Sequence, residues 1–235
     1  MSTYIMGGDI GQSVDPTTIA ILKHKPFYKE VESHPGSRMM KAPQVRVLHN
    51  YDLVLLEKVP LNTPYPKVVE RFEELSTNPN LVGDLDMVMD VTGVGRAVYD
   101  YMLERKIPVI GVLMTGGDAA AYNEKSGLWS VPKKDLVASL VMLYQSGRLR
   151  MNSKLPMLDE FQGQVLNFSA KLKKDTGHMS YEAMTESVHD DLVIAVAMAA
   201  WWAQLMVGQT AQILETAKRD KTYDPKRFRL STKKR

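Results

Sequence analysis

The sequence predicts a mixed-sheet α/β domain on three observations. Two strand-like segments, the second of them β-branched, open the chain with a turn between them, a strand–helix–strand run occupies its middle, and a long apolar helix over 189–206 follows. The 235 residues fit one large α/β domain or at most two small ones, and a hydrophobic fraction of 44% is enough for a real core.

Residues 4–9 form the first expected strand and 17–23 the second, with Asp15-Pro16 suited to the turn between them. The stretch 24–43 is polar, carries Pro26, Pro35 and Gly36, and is expected to be a mobile insertion. Residues 45–56 follow as a third strand or a bent pair. Helical spacing over 66–75 puts Val68, Val69, Phe72 and Leu75 on one side, with Pro66 near the start. Residues 85–91 form the next strand, Thr92-Gly93-Val94-Gly95 turns the chain into a helix over 96–105, and 108–113 is a strand again. Such a run implies a parallel pair with a right-handed crossover.

A Gly-rich loop spans 115–127. The next helix, 132–146, has proline in its first turn, Gly147 just past its end, and Leu136, Leu140 and Leu143 at core spacing. A further helix is expected over 158–167, and 172–187 is polar and ambiguous. The chain divides into one domain, 1–210, and a basic tail, 211–235, expected to be flexible.

The chain has no cysteine, which excludes disulfides and cysteine-based zinc sites and agrees with a reducing compartment. Residues 1–8 lack the apolar core of a secretory leader. No uncharged apolar run is expected to reach spanning length. Residues 192–207, which follow two aspartates, suit a core helix, so neither secretion nor a membrane is expected. The net charge of +3 is modest but unevenly spread. Lys171, Lys173 and Lys174 form one basic cluster; a second crowds the C-terminus and includes Arg227 and Arg229. A polyanionic partner or a solvated tail accounts for both.

Three apolar runs carry an aspartate at one end: Gly7-Gly8-Asp9, Met87-Val88-Met89-Asp90, and Asp190-Asp191 ahead of Leu192-Val193. Carboxylates at the ends of core elements, once brought together, repel one another. A divalent cation neutralises them, and Mg²⁺ or Mn²⁺ prefers such oxygen ligands, which points to two-metal phosphodiester chemistry. Plainer roles exist for each residue. Asp9 and Asp15 suit turns, while Asp190 or Asp191 suits a helix N-cap, for which one carboxylate suffices. His189 suits either a cap-region surface position or a ligand. Lys133 and Lys134 fall in a helix's first turn, where the dipole disfavours them, so phosphate contact competes with simple solvation. Gly93-Val94-Gly95 either cradles phosphate or turns the backbone sharply.

At these motifs the chain resembles the nuclease domain of tailed-phage large terminases. The matching segments, in order, are Asp9-Ile10-Gly11 through Asp15-Pro16-Thr17; Asp90 with Gly93-Val94-Gly95; Val131-Pro132-Lys133 through Ser146-Gly147-Arg148-Leu149; and His189-Asp190-Asp191-Leu192 with its Ala-rich helix. The resemblance implies a ribonuclease H-like fold and cleavage of double-stranded DNA during genome packaging. It implies two Mg²⁺ or Mn²⁺ ions, bridged by Asp9, with Asp90 and Asp191 each holding one side. Asp190, Asp15 and His189 are further candidate ligands. Lys133, Lys134, Arg148, Lys171, Lys173, Lys174, Arg227 and Arg229 are candidate DNA contacts. It also implies a packaging ATPase, a small terminase and a portal as partners, in the host cytoplasm. Two departures stand out. No Gly-x-x-x-x-Gly-Lys-Ser/Thr segment is present for an ATPase half. Ile194 occupies a position that is often acidic in the family, which puts weight on Asp190 and Asp191.

Three other functions compete. A Holliday-junction resolvase of the same fold shares the carboxylates. A sugar kinase would use Gly8-Asp9-Ile10-Gly11 as a phosphate loop. A non-catalytic DNA-binding packaging module would need no intact acidic set.

Overall fold

The protein is described by a computed structural model covering residues 3–11, 13–31, 44–81, 84–174 and 190–219. Strands β1 (Tyr4–Asp9), β2 (Thr18–Val31) and β3 (Gln44–Lys58) come first, then helix α1 (Tyr65–Ser76) and β4 (Leu85–Asp90). Helix α2 (Gly95–Glu104), β5 (Ile110–Thr115), β6 (Ala121–Asn123) and β7 (Leu128–Pro132) follow. The chain continues through α3 (Lys133–Gln145), β8 (Leu149–Met151), α4 (Leu158–Lys174) and α5 (Asp191–Arg219).

All eight described strands share one sheet, in the order β6-β7-β5-β4-β1-β2-β3-β8. The first three pair antiparallel, whereas β4 joins β1, β5 joins β4 and β7 joins β5 in parallel. An antiparallel β3-β2-β1 half continued by parallel β4 and β5 is the ribonuclease H-like mixed sheet, as expected.

Side chains alternate across the strands, so each face builds its own core. Ile5, Ala20, Leu22 and Val88 pack against α3, α4 and α5, while Met6, Ile19, Ile21 and Met89 pack against α1 and α2. Helix α5 is the central element of the first core: no residue from Leu192 to Ala200 exceeds 1% exposure. A helix that is apolar all round belongs inside a domain. The stretch Asp191–Gln209 is in fact long and apolar enough to cross a membrane, contrary to the length expectation, but 67% of it is buried here.

Close seating of α5 depends on Gly7. A Cβ at this position would lie 1.9 Å from the Ala195 carbonyl oxygen, so the strand touches the helix backbone directly.

Several expectations need correction. The supposed insertion from residue 24 is strand as far as Val31, paired along its length with β3 from Gln44 onward. Alternation is masked there because the ribbon has polar residues on both faces. Residues 32–43 lie outside the described residues. Residues 45–56 belong to one strand that absorbs a register shift opposite Ile21/Leu22 rather than breaking in two. The loop expected over 115–127 contains the edge strand β6, and β7 and β8 were not anticipated because both are short. Helix α4 runs on to Lys174, and α5 runs on to Arg219, past the expected start of the tail.

Candidate functional site

Strands β1 and β4 lie side by side with Gly8 opposite Met89, so the next positions, Asp9 and Asp90, stand level at the strand ends. Ile5 and Gly7 face α5, and alternation carries Asp9 to the same side. Val88 packs in that core too, so Asp90 also faces the α5 layer. Helix α5 begins at Asp191 on this face. Its start is pinned by Thr18, which stands opposite Asp9 in the β1–β2 pairing and donates its hydroxyl to the Asp191 carbonyl at 2.8 Å. Gln164 of α4 accepts from the Val193 N–H at 3.3 Å. Three elements thereby bring Asp9, Asp90, Asp190 and Asp191 to one edge of the sheet.

The turn after β4 holds Asp90 in place. Gly93 takes φ +58°, a left-handed conformation that favours glycine, and the Thr92 N–H donates to Asp90 Oδ1 at 2.8 Å. Sharp turning, rather than a phosphate cradle, is the role this backbone supports for Gly93.

The charges are concentrated. Burial and the neighbouring Asp90, Asp191 and Asp190 carboxylates push the Asp9 carboxyl well above its ordinary range, with Lys133 acting in the opposite direction. Burial raises the Asp90 carboxyl to about 6, against hydrogen bonding from Thr92 and the charge of Lys133. Lys133 Nζ reaches Asp190 Oδ2 at 2.8 Å with both side chains largely buried. An ion pair this sheltered helps hold the Asp190-Asp191 turn against the start of α3.

The carboxylates open onto a cleft of about 340 Å³ lined by Asp9, Asp15, Lys133, Asp190 and Asp191 among others. Asp15 is exposed at its rim. Lys134 sits beside Lys133 but pairs with Asp118 at 3.0 Å. Arg148 is not brought to the cleft. It lies past the far end of the 13-residue helix α3, roughly 20 Å along its axis, and donates from Nε to the His49 carbonyl at 2.8 Å. Lys171, Lys173 and Lys174 close α4, while His189, Arg227 and Arg229 lie outside the described residues. Thr18, Thr92 and Gln164, none of them a candidate from sequence, position the site. Nothing in their spacing marks them, because each acts through a partner distant in sequence or through the backbone.

Among the described residues, no three carboxylate or histidine side chains meet closely enough to cage an ion by themselves. The donor set nevertheless fits Mg²⁺ or Mn²⁺. It is all oxygen, electrostatically crowded and open on one side, and Mg²⁺ is usually held by one or two carboxylates together with water and substrate phosphates. Asp9, Asp90 and Asp191 are the residues that would hold such ions, with Asp190 beside them.

The raised Asp90 carboxyl has a consequence for stability. Between its ordinary value of 3.8 and about 6, the folded chain keeps a proton that the unfolded chain releases. The metal-free fold therefore loses stability as pH rises through this window, by ~3 kcal/mol in all, and the cost persists above it. Asp90→Asn is expected to stabilise the metal-free protein at pH 8, with the gain fading below pH ~4, where both states are protonated. Urea titrations of both proteins across pH measure this directly. A gain that does not change with pH would mean that Asp90 does not titrate in this range.

Fold and site together define a ribonuclease H-like α/β domain with an acidic cluster at the ends of β1 and β4. Among solved structures, the chain is similar to the large terminase nuclease from thermophilic phage G20c with bound zinc. Identity is 19%, coverage is 84% of this chain and 80% of that one, and the TM-score is 0.46. No protein-family model matches the chain, and no curated protein matches it.

Proposed function

We propose that the chain is a divalent-metal-dependent endonuclease for double-stranded DNA, acting in phage genome packaging. The observation that carries this reading is the convergence of the Asp9, Asp190 and Asp191 carboxylates on one open cleft, with the buried Asp90 level with Asp9 on the neighbouring strand and acting on its charge. The family-ordered motifs from Asp9 to the Ala-rich helix support the packaging assignment. Two Mg²⁺ or Mn²⁺ ions in the cleft would supply an activated water and stabilise the leaving 3′-oxygen.

The chain's own residues divide the remaining work. Asp9, at the end of β1 and level with Asp90, would contribute a carboxylate to the metal site. Asp90 is oriented by the Thr92 N–H, and Asp191 by the seating of α5 on Thr18. Lys133, which lines the cleft, offsets part of the acidic charge, and with Lys134 next to it on α3 would meet substrate phosphates. The basic segments at the end of α4 and at 218–235 would grip phosphates with little sequence preference. A packaging ATPase, a small terminase and a portal are the partners this role requires, and the host cytoplasm is its location.

Supercoiled plasmid, linear duplex and a four-way junction, each incubated with protein and Mn²⁺ or Mg²⁺, test the reading. Nicking and linearisation that stop with chelator, at comparable rates on duplex and junction, are expected. A large junction preference would instead identify a resolvase. Intact DNA at every metal concentration would leave a binding module.

A further inference from the structure

The β2–β3 ribbon is not explained by the carboxylate site. Strand β2 starts beside Asp9 and runs past the start of β1, because Tyr4 pairs with Lys23 and β2 continues to Val31. On the other side, β8 covers only Tyr51 to Leu53 of β3. Among the described residues, the outer ribbon, Lys25–Lys29 paired with Arg46–Asn50, therefore has no strand on either side. From Thr18, level with Asp9, to Lys25 is seven residues, about 23 Å along the strand. The ribbon thus projects from the end of the sheet opposite the acidic cleft.

Its charge is one-sided. Residues 23–31, 44–52 and 149–154 carry four lysines and two arginines against two carboxylates, Glu30 and Asp52, and by alternation Glu30 falls on the face opposite Lys25 and Lys29. Alternation puts Lys23, Lys25 and Lys29 on one face, with Asp52 and Arg150 level on neighbouring strands. Asp52 pairs with both Lys25 and Arg150 (the latter at 2.9 Å), and those two cations remain half-exposed. They line a cleft of about 630 Å³ together with Lys154. Phe27, between Lys25 and Lys29 on the same face, and Tyr28 on the other are both exposed. Lysines on alternate residues stand about 6.7 Å apart, close to the ~6.8 Å that two nucleotide steps span along a duplex axis. A two-stranded ribbon is also the width that a major groove admits.

We propose that the lysine face of the β2–β3 ribbon, with Arg150 and Lys154, docks the phosphate backbone of duplex DNA at a site remote from the carboxylate cleft. This rests on the reading that duplex DNA is the substrate. The ribbon holds a second stretch of duplex while the cleft acts on the first, through charge rather than base contacts, so its contribution is sequence-independent and salt-sensitive.

The test is fluorescence anisotropy of a labelled duplex with the full chain in EDTA, where metal-dependent cleavage does not run, across a salt series. The double variant Lys29→Glu with Lys154→Glu leaves both Asp52 pairs intact; Lys25→Gln is a milder second variant, and Lys125→Glu on the β6–β7 turn is the control. The double variant is expected to lose about tenfold or more in affinity at low salt and to flatten the salt slope by about 2. Lys25→Gln is expected to lose less, and the control nothing, with melting temperatures unchanged. Wild-type affinity and slope in the double variant would overturn the ribbon site alone. An absence of any duplex binding by the wild-type chain would overturn the substrate reading as well. Preferential binding of polyglutamate, lost in the same variant, would replace DNA with an acidic protein partner and also overturn the proposal.

Discussion

Asp9→Asn is expected to reduce metal-dependent DNA cleavage by roughly 10³-fold or more while leaving the fold intact. Asp9 is the carboxylate on which the other three act: Asp90, Asp191 and Asp190 all raise its proton affinity. It stands at the end of the central strand β1, level with Asp90 across the parallel pairing. Asparagine keeps the shape but removes the charge that two cations would share. Transition-state charge stabilisation by bound metal is worth several kcal/mol, and each 1.36 kcal/mol is tenfold in rate. The same change should raise thermal stability in chelator, because it removes one of several crowded like charges. Plasmid nicking at saturating Mn²⁺ and melting in EDTA measure the two halves. Cleavage at the wild-type rate would exclude Asp9 as a ligand. A lower melting temperature in EDTA would show that its charge supports the fold rather than straining it.

Much of this arrangement was legible in the sequence, for identifiable reasons. Aspartates at the ends of apolar runs are visible because burial demands the run and the end of the element permits the charge, so Asp9 and Asp90 after strands and Asp191 ahead of a helix stood out. The parallel pairing of β4 with β5 followed from the crossover rule applied to 85–113, whereas the adjacency of β1 and β4 is fixed only by the folded sheet. The ribbon was missed because a strand pair without a packed face shows no apolar alternation, and residues 24–43 gave a polar stretch with Pro26, Pro35 and Gly36 in it. Strand β8 was missed because three residues carry no period. Arg148, singled out by its motif, turned out to brace the His49 carbonyl, and spacing cannot distinguish a bracing arginine from one that meets a ligand. The contributions of Thr18 and Gln164 exist only once α5 has been folded back on β2 and α4.

In the sequence Gly7 belongs only to the apolar run that ends in Asp9. Its structural reason is the packing of α5, and that leads to the second large effect. Gly7→Ala is expected to destabilise the protein by about 3 kcal/mol or more, at the upper end of what overpacking costs. The new methyl group would meet the Ala195 carbonyl oxygen at 1.9 Å and the Ala199 nitrogen at 3.0 Å. Both are backbone atoms of a helix buried on every side, so no rotamer change in α5 can make room, and the helix must move as a body. That movement pulls Asp191 away from Thr18 and opens the acidic cluster, so metal-dependent activity should fall along with stability. Gly163→Ala in α4 is the matched control: a Cβ there meets no heavy atom within 4 Å, and exchanging glycine for alanine in a helix interior should gain about 0.5–1 kcal/mol. Urea midpoints of the two variants should therefore move in opposite directions. If Gly7→Ala unfolds at the wild-type midpoint, α5 does not sit on β1 at this distance, and the placement of Asp191 beside Asp9 fails with it.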